Sequence, residues 1–261
     1  TLGNQATVFN KSGDNYASWN WKAGTTTGID TTGSTITPTA YSFNQTSGVS
    51  IIQYDGNNTQ GATVPHGLGA APQFILIKAR DATESWATGH HHMNFGNPSV
   101  TGWDYYMYLN TTAPRGQNNN RFGNVNPTST VFSVGNDDSV NDASYTYMAY
   151  CFAPKKGFSS FGTYVGNLNN NGPFIYTGFR PAFTITKPAV TDSNSWYMLD
   201  RLRANPYNPQ DGRLEADGTG AESTGKDIDY VANGFKIRKN DGGMNNTGIT
   251  YIYASFAEFP L

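Results

Sequence analysis

The chain has 261 residues, a formal net charge of −2 and only 14% charged residues, well below the roughly 25% of an average soluble protein. Both signs are scattered, so the basic footprint that nucleic acid or an anionic membrane attracts is missing, and neither is expected as a partner. No run approaches the roughly 18 apolar residues of a spanning helix, and the N-terminus lacks the basic and apolar blocks of a signal peptide; the chain opens at Thr1 rather than Met, so a processed product or part of a longer protein is expected.

In chain order, residues 5–23 read as a β-hairpin arm. Tyr16, Trp19 and Trp21 lie in a stretch that resembles the closing strand of each later repeat, without the rest of a repeat around it. An isolated hairpin is marginal in water, so the arm is expected to add to a sheet of this chain or of a neighbouring subunit. Residues 24–38, rich in Thr and Gly, read as a linker. Strands follow at residues 74–78, 103–109 and 130–134, each bounded by turn-forming residues. Residues 145–152 carry large side chains on both faces, the mark of a central strand packed on two sides. The connection Pro154-Lys155-Lys156-Gly157 is short and implies closely packed modules. Strands then recur at 183–187 and 235–238, and residues 248–259 repeat the dense aromatic run. Residues 136–141 and 240–246 look like matching hairpin loops, and no stretch shows a helical stripe. Cys151 is alone, so it forms no intramolecular disulfide and reads as a buried small hydrophobe.

The halves repeat. Tyr54, Gly56, Asn57, Pro72, Phe74, Lys78 and Trp86 correspond to Tyr164, Gly166, Asn167, Pro181, Phe183, Lys187 and Trp196, and residues 146–153 correspond to 250–257. The fold expected is all-β: two tandem antiparallel β-sandwich or jelly-roll-like modules, residues 41–156 and 157–261, behind an arm and linker at 1–40. A duplicated module points to scaffold or binding surface, because catalysis needs one converged constellation.

The segment Tyr147-Met148-Ala149-Tyr150-Cys151-Phe152-Ala153-Pro154-Lys155-Lys156-Gly157-Phe158, then Gly162-Thr163-Tyr164-Val165-Gly166-Asn167, resembles a repeat module of virion proteins of marine tailed bacteriophages. So do Val64-Pro65-His66-Gly67-Leu68-Gly69-Ala70-Ala71-Pro72-Gln73-Phe74-Ile75-Leu76-Ile77-Lys78 and Trp19-Asn20-Trp21-Lys22-Ala23-Gly24. The resemblance runs over most of residues 15–259 and is weak over 90–128 and 200–228, where a recognition surface would vary. It implies a virion surface or extracellular location, neighbouring lectin-like jelly rolls, other virion proteins as partners and no catalytic residues.

Several clusters compete for a site. His90, His91 and His92 invite a metal, but consecutive strand residues point to opposite faces, so a loop or interface role is favoured over ligation. Asp137, Asp138 and Asp142, and Asp227 with Asp229, offer oxygens to calcium, yet hairpin turns call for the same residues. No cofactor is therefore expected, with calcium the one alternative. Glu84, Glu215, Glu222 and Glu258 show no pairing for glycoside hydrolysis. On a strand, Tyr106 and Tyr108 share one face and Trp103 and Tyr105 the other, leaving one of the two for sugar stacking or protein contact. The function expected is a non-enzymatic virion component, a tail fibre, tail tip or head decoration, homo-oligomeric and attached to a host glycan or receptor. A lectin-like carbohydrate-binding module is the alternative, and a depolymerase fragment a weaker one.

Overall fold

A computed structural model describes residues 11–191, 194–203, 205 and 207–257. The first half contributes β1 (Ala40–Asn44), β2 (Val49–Asp55), β3 (Ala62–Pro65), β4 (Phe74–Ala79), β5 (Ala87–His90), β6 (Tyr105–Tyr108), β7 (Gly116–Gln117), β8 (Val131–Val134) and β9 (Thr146–Phe152). The second contributes β10 (Ser159–Val165), β11 (Phe174–Tyr176), β12 (Pro181–Pro188), β13 (Tyr197–Asp200), β14 (Arg213–Glu215), β15 (Ile228–Val231), β16 (Gly234–Ile237) and β17 (Thr250–Ala257), with one helical turn, α1 (Gly242–Asn245).

Each half is an antiparallel sandwich of one large and one small sheet. Module 1 sets the sheet β1-β2-β9-β4-β5-β6-β7 against β3-β8, and module 2 sets β10-β17-β12-β13-β14 against β11-β16-β15. The order β2-β9-β4-β5-β6 is matched by β10-β17-β12-β13-β14, so the repeat in the sequence is a repeat of topology. The fold is all-β, as the alternation implied.

Strand alternation sorts the apolar residues into three cores. In β9, Tyr147, Ala149 and Cys151 enter the interior of module 1, while Tyr150 and Phe152 face the other way. In β17, Tyr251 and Tyr253 enter module 2, while Ile252, Ala254 and Phe256 face out. The outward faces of the two large sheets pack on each other and form the third core, with Phe74 stacked on Phe161 at 6.1 Å and Phe152 against Phe256 at 5.6 Å. The result is four layers, small sheet, large sheet, large sheet, small sheet, with β17 buried on both faces and β9 buried on its inner face and half-buried along much of its outer one.

A polar clasp closes each sandwich at the loop before the last strand. In module 1, Tyr54 OH donates to Val140 O at 2.6 Å and Tyr147 OH to Asp138 O at 2.7 Å, and Asp142 N donates back to Tyr147 OH. Asn141 Nδ2 donates to Gly135 O and Thr59 O, and its Oδ1 accepts from Asn57 N at 2.9 Å. In module 2, Tyr164 OH donates to Met244 O, Tyr251 OH to Gly242 O and Asn246 N to Tyr251 OH. Asn245 Nδ2 reaches Lys239 O and Asn169 O, and its Oδ1 accepts from Asn167 N at 2.9 Å. The two tyrosines of each clasp stack, at 5.3 Å in module 1 and 4.8 Å in module 2. Burial pushes all four hydroxyls well up, so they remain neutral donors. The repeated glycine has a steric reason: a Cβ on Gly56 would lie 2.0 Å from Asp142 O, and one on Gly166 2.3 Å from Asn246 O.

The arm and linker depart from expectation. Residues 1–10 lie outside the described residues, and residues 14–24 carry no strand, so the described part of the expected hairpin is an irregular strap. Its tryptophans still pack, Trp19 at 4.9 Å from Phe183 and Trp21 at 5.1 Å from Phe256, because the gap between the large sheets offers aromatic faces and no free ladder edge. The linker is draped over module 1: Thr25 bridges Phe43, and Ile36 is buried in the first core.

Candidate functional site

The predicted contact residues do not assemble into one exposed patch. Trp103 sits on a short 3-10 turn, Gly102–Asp104, rather than on the strand, so it points into module 1 against Phe122 instead of sharing the face of Tyr105. It is 2% exposed. Tyr105 faces the gap between the modules at 6% exposure, with the Arg115 guanidinium 4.2 Å from its ring. Neither is available for surface recognition on this chain, because Trp103 is buried in the module 1 core and Tyr105 in the core between the modules. Tyr106 and Tyr108 do share a face, 5.2 Å apart and half-buried, but Arg121 lies 4.0 Å over Tyr106 and donates to Tyr108 OH at 2.8 Å. Arg121 in turn pairs with Asp137 at 2.9 Å. That face is closed by a cation held in place.

Two of the three histidines form part of the contact between modules. His90 is buried, and its Nε2 lies 3.3 Å from Tyr253 O, while His91 Nε2 lies 3.1 Å from Phe161 O. Both carbonyls belong to module 2, so both nitrogens carry the proton. His92 is exposed and stacks on His91 at 3.7 Å. Burial drives His90 well below its ordinary value and His91 down to about 4, and it lowers His92 as well. Neutral rings wedged between two sheets are suited to donating to backbone, and surface contact through His90 is ruled out by its burial.

Three of the five carboxylates considered for calcium have other work. Asp137 accepts from Ser139 and pairs with Arg121, Asp142 Oδ1 accepts from Ser144 N at 2.7 Å, and Asp229 pairs with Arg238 at 3.3 Å. No group of three or more His, Cys, Asp or Glu side chains is placed to hold a metal among the described residues.

What sequence reading missed is a cleft of about 370 Å³ between the large sheets. Leu76, Trp86, Leu109, Tyr150 and Met198 line it and are only half-buried, and Trp19 and Trp21 of the strap close one end. Trp86 stacks on Tyr150 at 6.0 Å. The wall is almost wholly apolar, so it accommodates apolar groups and gives a sugar hydroxyl little to bond. The signal for it was the outward half of the alternation in β4 and β9, which says that something apolar lies there but not that the contact is incomplete.

The insertion in module 1 is used for locking rather than display. Trp196 Nε1 donates to Tyr108 O at 2.9 Å, Lys187 Nζ to Thr112 O at 3.1 Å and Arg115 N to Ala189 O at 2.9 Å. The region where the copies differ thus includes residues that join them.

No curated protein and no solved structure matches the chain. A family model described as a domain of unknown function, DUF7483, matches residues 1–260.

Proposed function

Since the chain belongs to the DUF7483 family, whose function is unknown, we propose that it is a non-enzymatic structural component of a bacteriophage virion, a tail fibre, tail tip or head decoration, which contributes to assembly and host-surface attachment. The observation that carries this reading is the chemistry of what recurs. The pairs Tyr54 and Tyr164, Asn141 and Asn245, and Tyr147 and Tyr251 all close backbone turns. What the chain keeps twice is framework. The four-layer packing adds rigidity, and the surface is made polar by amides and hydroxyls rather than charge. The resemblance of residues 147–167 and 64–78 to phage virion repeats supports a virion location.

Carbohydrate binding is the second reading, and it rests on Tyr106 and Tyr108. A sugar would have to displace the Arg121 guanidinium from Tyr106 before stacking there, which places this reading behind the first. The test is an antiserum against the chain applied to particles purified from cultures that produce it. Labelling of tails or capsids, with adsorption to host cells blocked by the antiserum, is the expected result. Detection only in particle-free fractions would end the virion reading, and glycan-array binding lost in Tyr106→Ala would promote the lectin.

A further inference from the structure

Among the described residues, the small sheet of module 2 has a bare edge at the place where module 1 is covered. In module 1, β3 pairs with β8 on one side, and residues 33–36 lie along the other. Thr35 N and Ile36 N both donate to Thr63 O at 3.0 Å, and Thr63 N donates to Thr35 Oγ1 at 2.8 Å. Ile36, next in the chain, is 5% exposed and belongs to the core.

In module 2, β11 takes the place of β3. Ile175 is buried as Val64 is, and Phe174 stands opposite Lys236 where Thr63 stands opposite Ser133. The bonds Ile237 N to Pro173 O and Thr177 N to Asn233 O put residues 173 and 177 on the β16 side. Antiparallel alternation therefore turns the backbone N–H and C=O of Phe174 and Tyr176 toward the free edge. Among the described residues no strand pairs with that edge. The side chains of Phe174 and Tyr176 are 47% and 67% exposed. An open edge with exposed aromatic residues is a template for strand addition.

Module 1 also indicates what fits such an edge: a threonine followed by a β-branched apolar residue. Among the described residues module 2 has no such cover of its own, because residues 153–158 turn directly into β10 through Phe158 N to Lys155 O. Thr63-Val64, Thr130-Val131 and Thr184-Ile185 are already built into the sheets. Thr7-Val8, within Ala6-Thr7-Val8-Phe9, lies outside the described residues and remains. The strap that follows it packs on Phe183 and Phe256, on the seam side of the five-stranded sheet, whereas β11 lies on the other side. That placement favours a different molecule as donor. We propose that the β11 edge takes residues 6–9 of a second copy as an added strand, with Thr7 and Val8 in the roles of Thr35 and Ile36. Where each copy donates to the other, such a contact closes a reciprocal dimer; where donation is one-way, it runs head-to-tail into rings or open filaments.

This deepens the assembly half of the function proposed above, and its test uses isolated protein, so its failure leaves virion location standing. Sedimentation of the full chain is compared with that of residues 11–261, and a synthetic peptide of residues 1–11 is titrated into the shortened chain. The full chain should self-associate, the shortened chain should be monomeric, and the peptide should bind it. Tyr176→Pro removes an edge donor without touching the β16 ladder and should weaken the peptide about tenfold, with melting unchanged. Val8→Asp in the peptide should weaken it likewise, a result that needs no folded variant. A monomeric full chain whose shortened form still binds peptide would overturn the second-copy donor. Absence of peptide binding, or equal binding by Val8→Asp, would overturn the site.

Discussion

The two modules anchor their matched tryptophans in the same way and cover them differently. Trp86 N donates to Asn110 Oδ1 at 3.0 Å and Trp196 N to Asp217 Oδ1 at 2.8 Å, while Leu109 N and Ala216 N donate back to the two tryptophan carbonyls. Trp196 is 1% exposed because the module 1 insertion lies over it and accepts its Nε1–H, whereas Trp86 is half-buried and faces the cleft. Framework geometry has therefore been kept while covering has diverged, and the divergence is concentrated where one module meets the other. Trp196→Ala should cost about 4 kcal/mol of unfolding free energy, as large buried truncations do, and Trp86→Ala about 1.5 kcal/mol, as for a side chain only partly withdrawn from water. Equal losses in denaturant unfolding would erase the distinction.

The clasps should behave as equals. Asn141→Ala and Asn245→Ala each remove three hydrogen bonds to backbone groups, at a cost of about 3 kcal/mol apiece. Urea titrations of the two variants should shift together, and a difference larger than the tryptophan contrast would mean that one clasp is ornamental.

Much of this framework was legible. The runs at 145–152 and 248–257 place large residues on both faces because a central strand here has a core on each side, and the repeat could be aligned because Tyr54, Gly56 and Asn57 hold the same places in their clasp as Tyr164, Gly166 and Asn167. Other parts were not. The side of Trp103 depends on a single 3-10 turn that shifts it out of strand register. Trp19 and Trp21 alternate as strand residues do, yet they fill a gap between sheets that exists only once both modules have folded. The Thr- and Gly-rich linker reads as flexible from composition, and only the tertiary placement of Ile36 shows that it is fixed. The cleft beside Trp86 is a mismatch between two surfaces, which no local pattern encodes.

Acid should divide the modules. His66, His90, His91 and His92 all belong to module 1 or its contact with module 2, and burial lowers His66 and His91 to about 4. These rings are neutral in the folded chain, whereas unfolding restores values near the usual 6.5. Their contribution is therefore complete above pH 6.5 and is lost as pH falls toward 4, where the unfolded chain takes up more protons. The loss for the fully buried His66 is at most about 3 kcal/mol. Hydrogen exchange from pH 7 to 4.5 should show amides of β3–β8 and of the seam losing protection before those of β11–β16. Module 2, with no histidine, supplies the internal control.

The smallest contrast is one backbone angle. Asn58 and Leu168 hold the same place, each donating its N–H to the clasp asparagine carbonyl, Asn141 O at 2.8 Å or Asn245 O at 2.6 Å. Both are left-handed, with φ of 52° and 51°. Asparagine adopts that region at little cost, whereas a branched side chain is strained there by roughly 1 kcal/mol. Leu168 is 47% exposed, so it recovers only part of that through burial. Leu168→Asn should raise stability by about 0.5–1 kcal/mol, and Asn58→Leu should lower it by a similar amount. Opposite signs in paired melting curves would show that the clasp, rather than the side chain, dictates the turn. Two changes of the same sign would mean that the copies are built on different turns despite their shared hydrogen bonds.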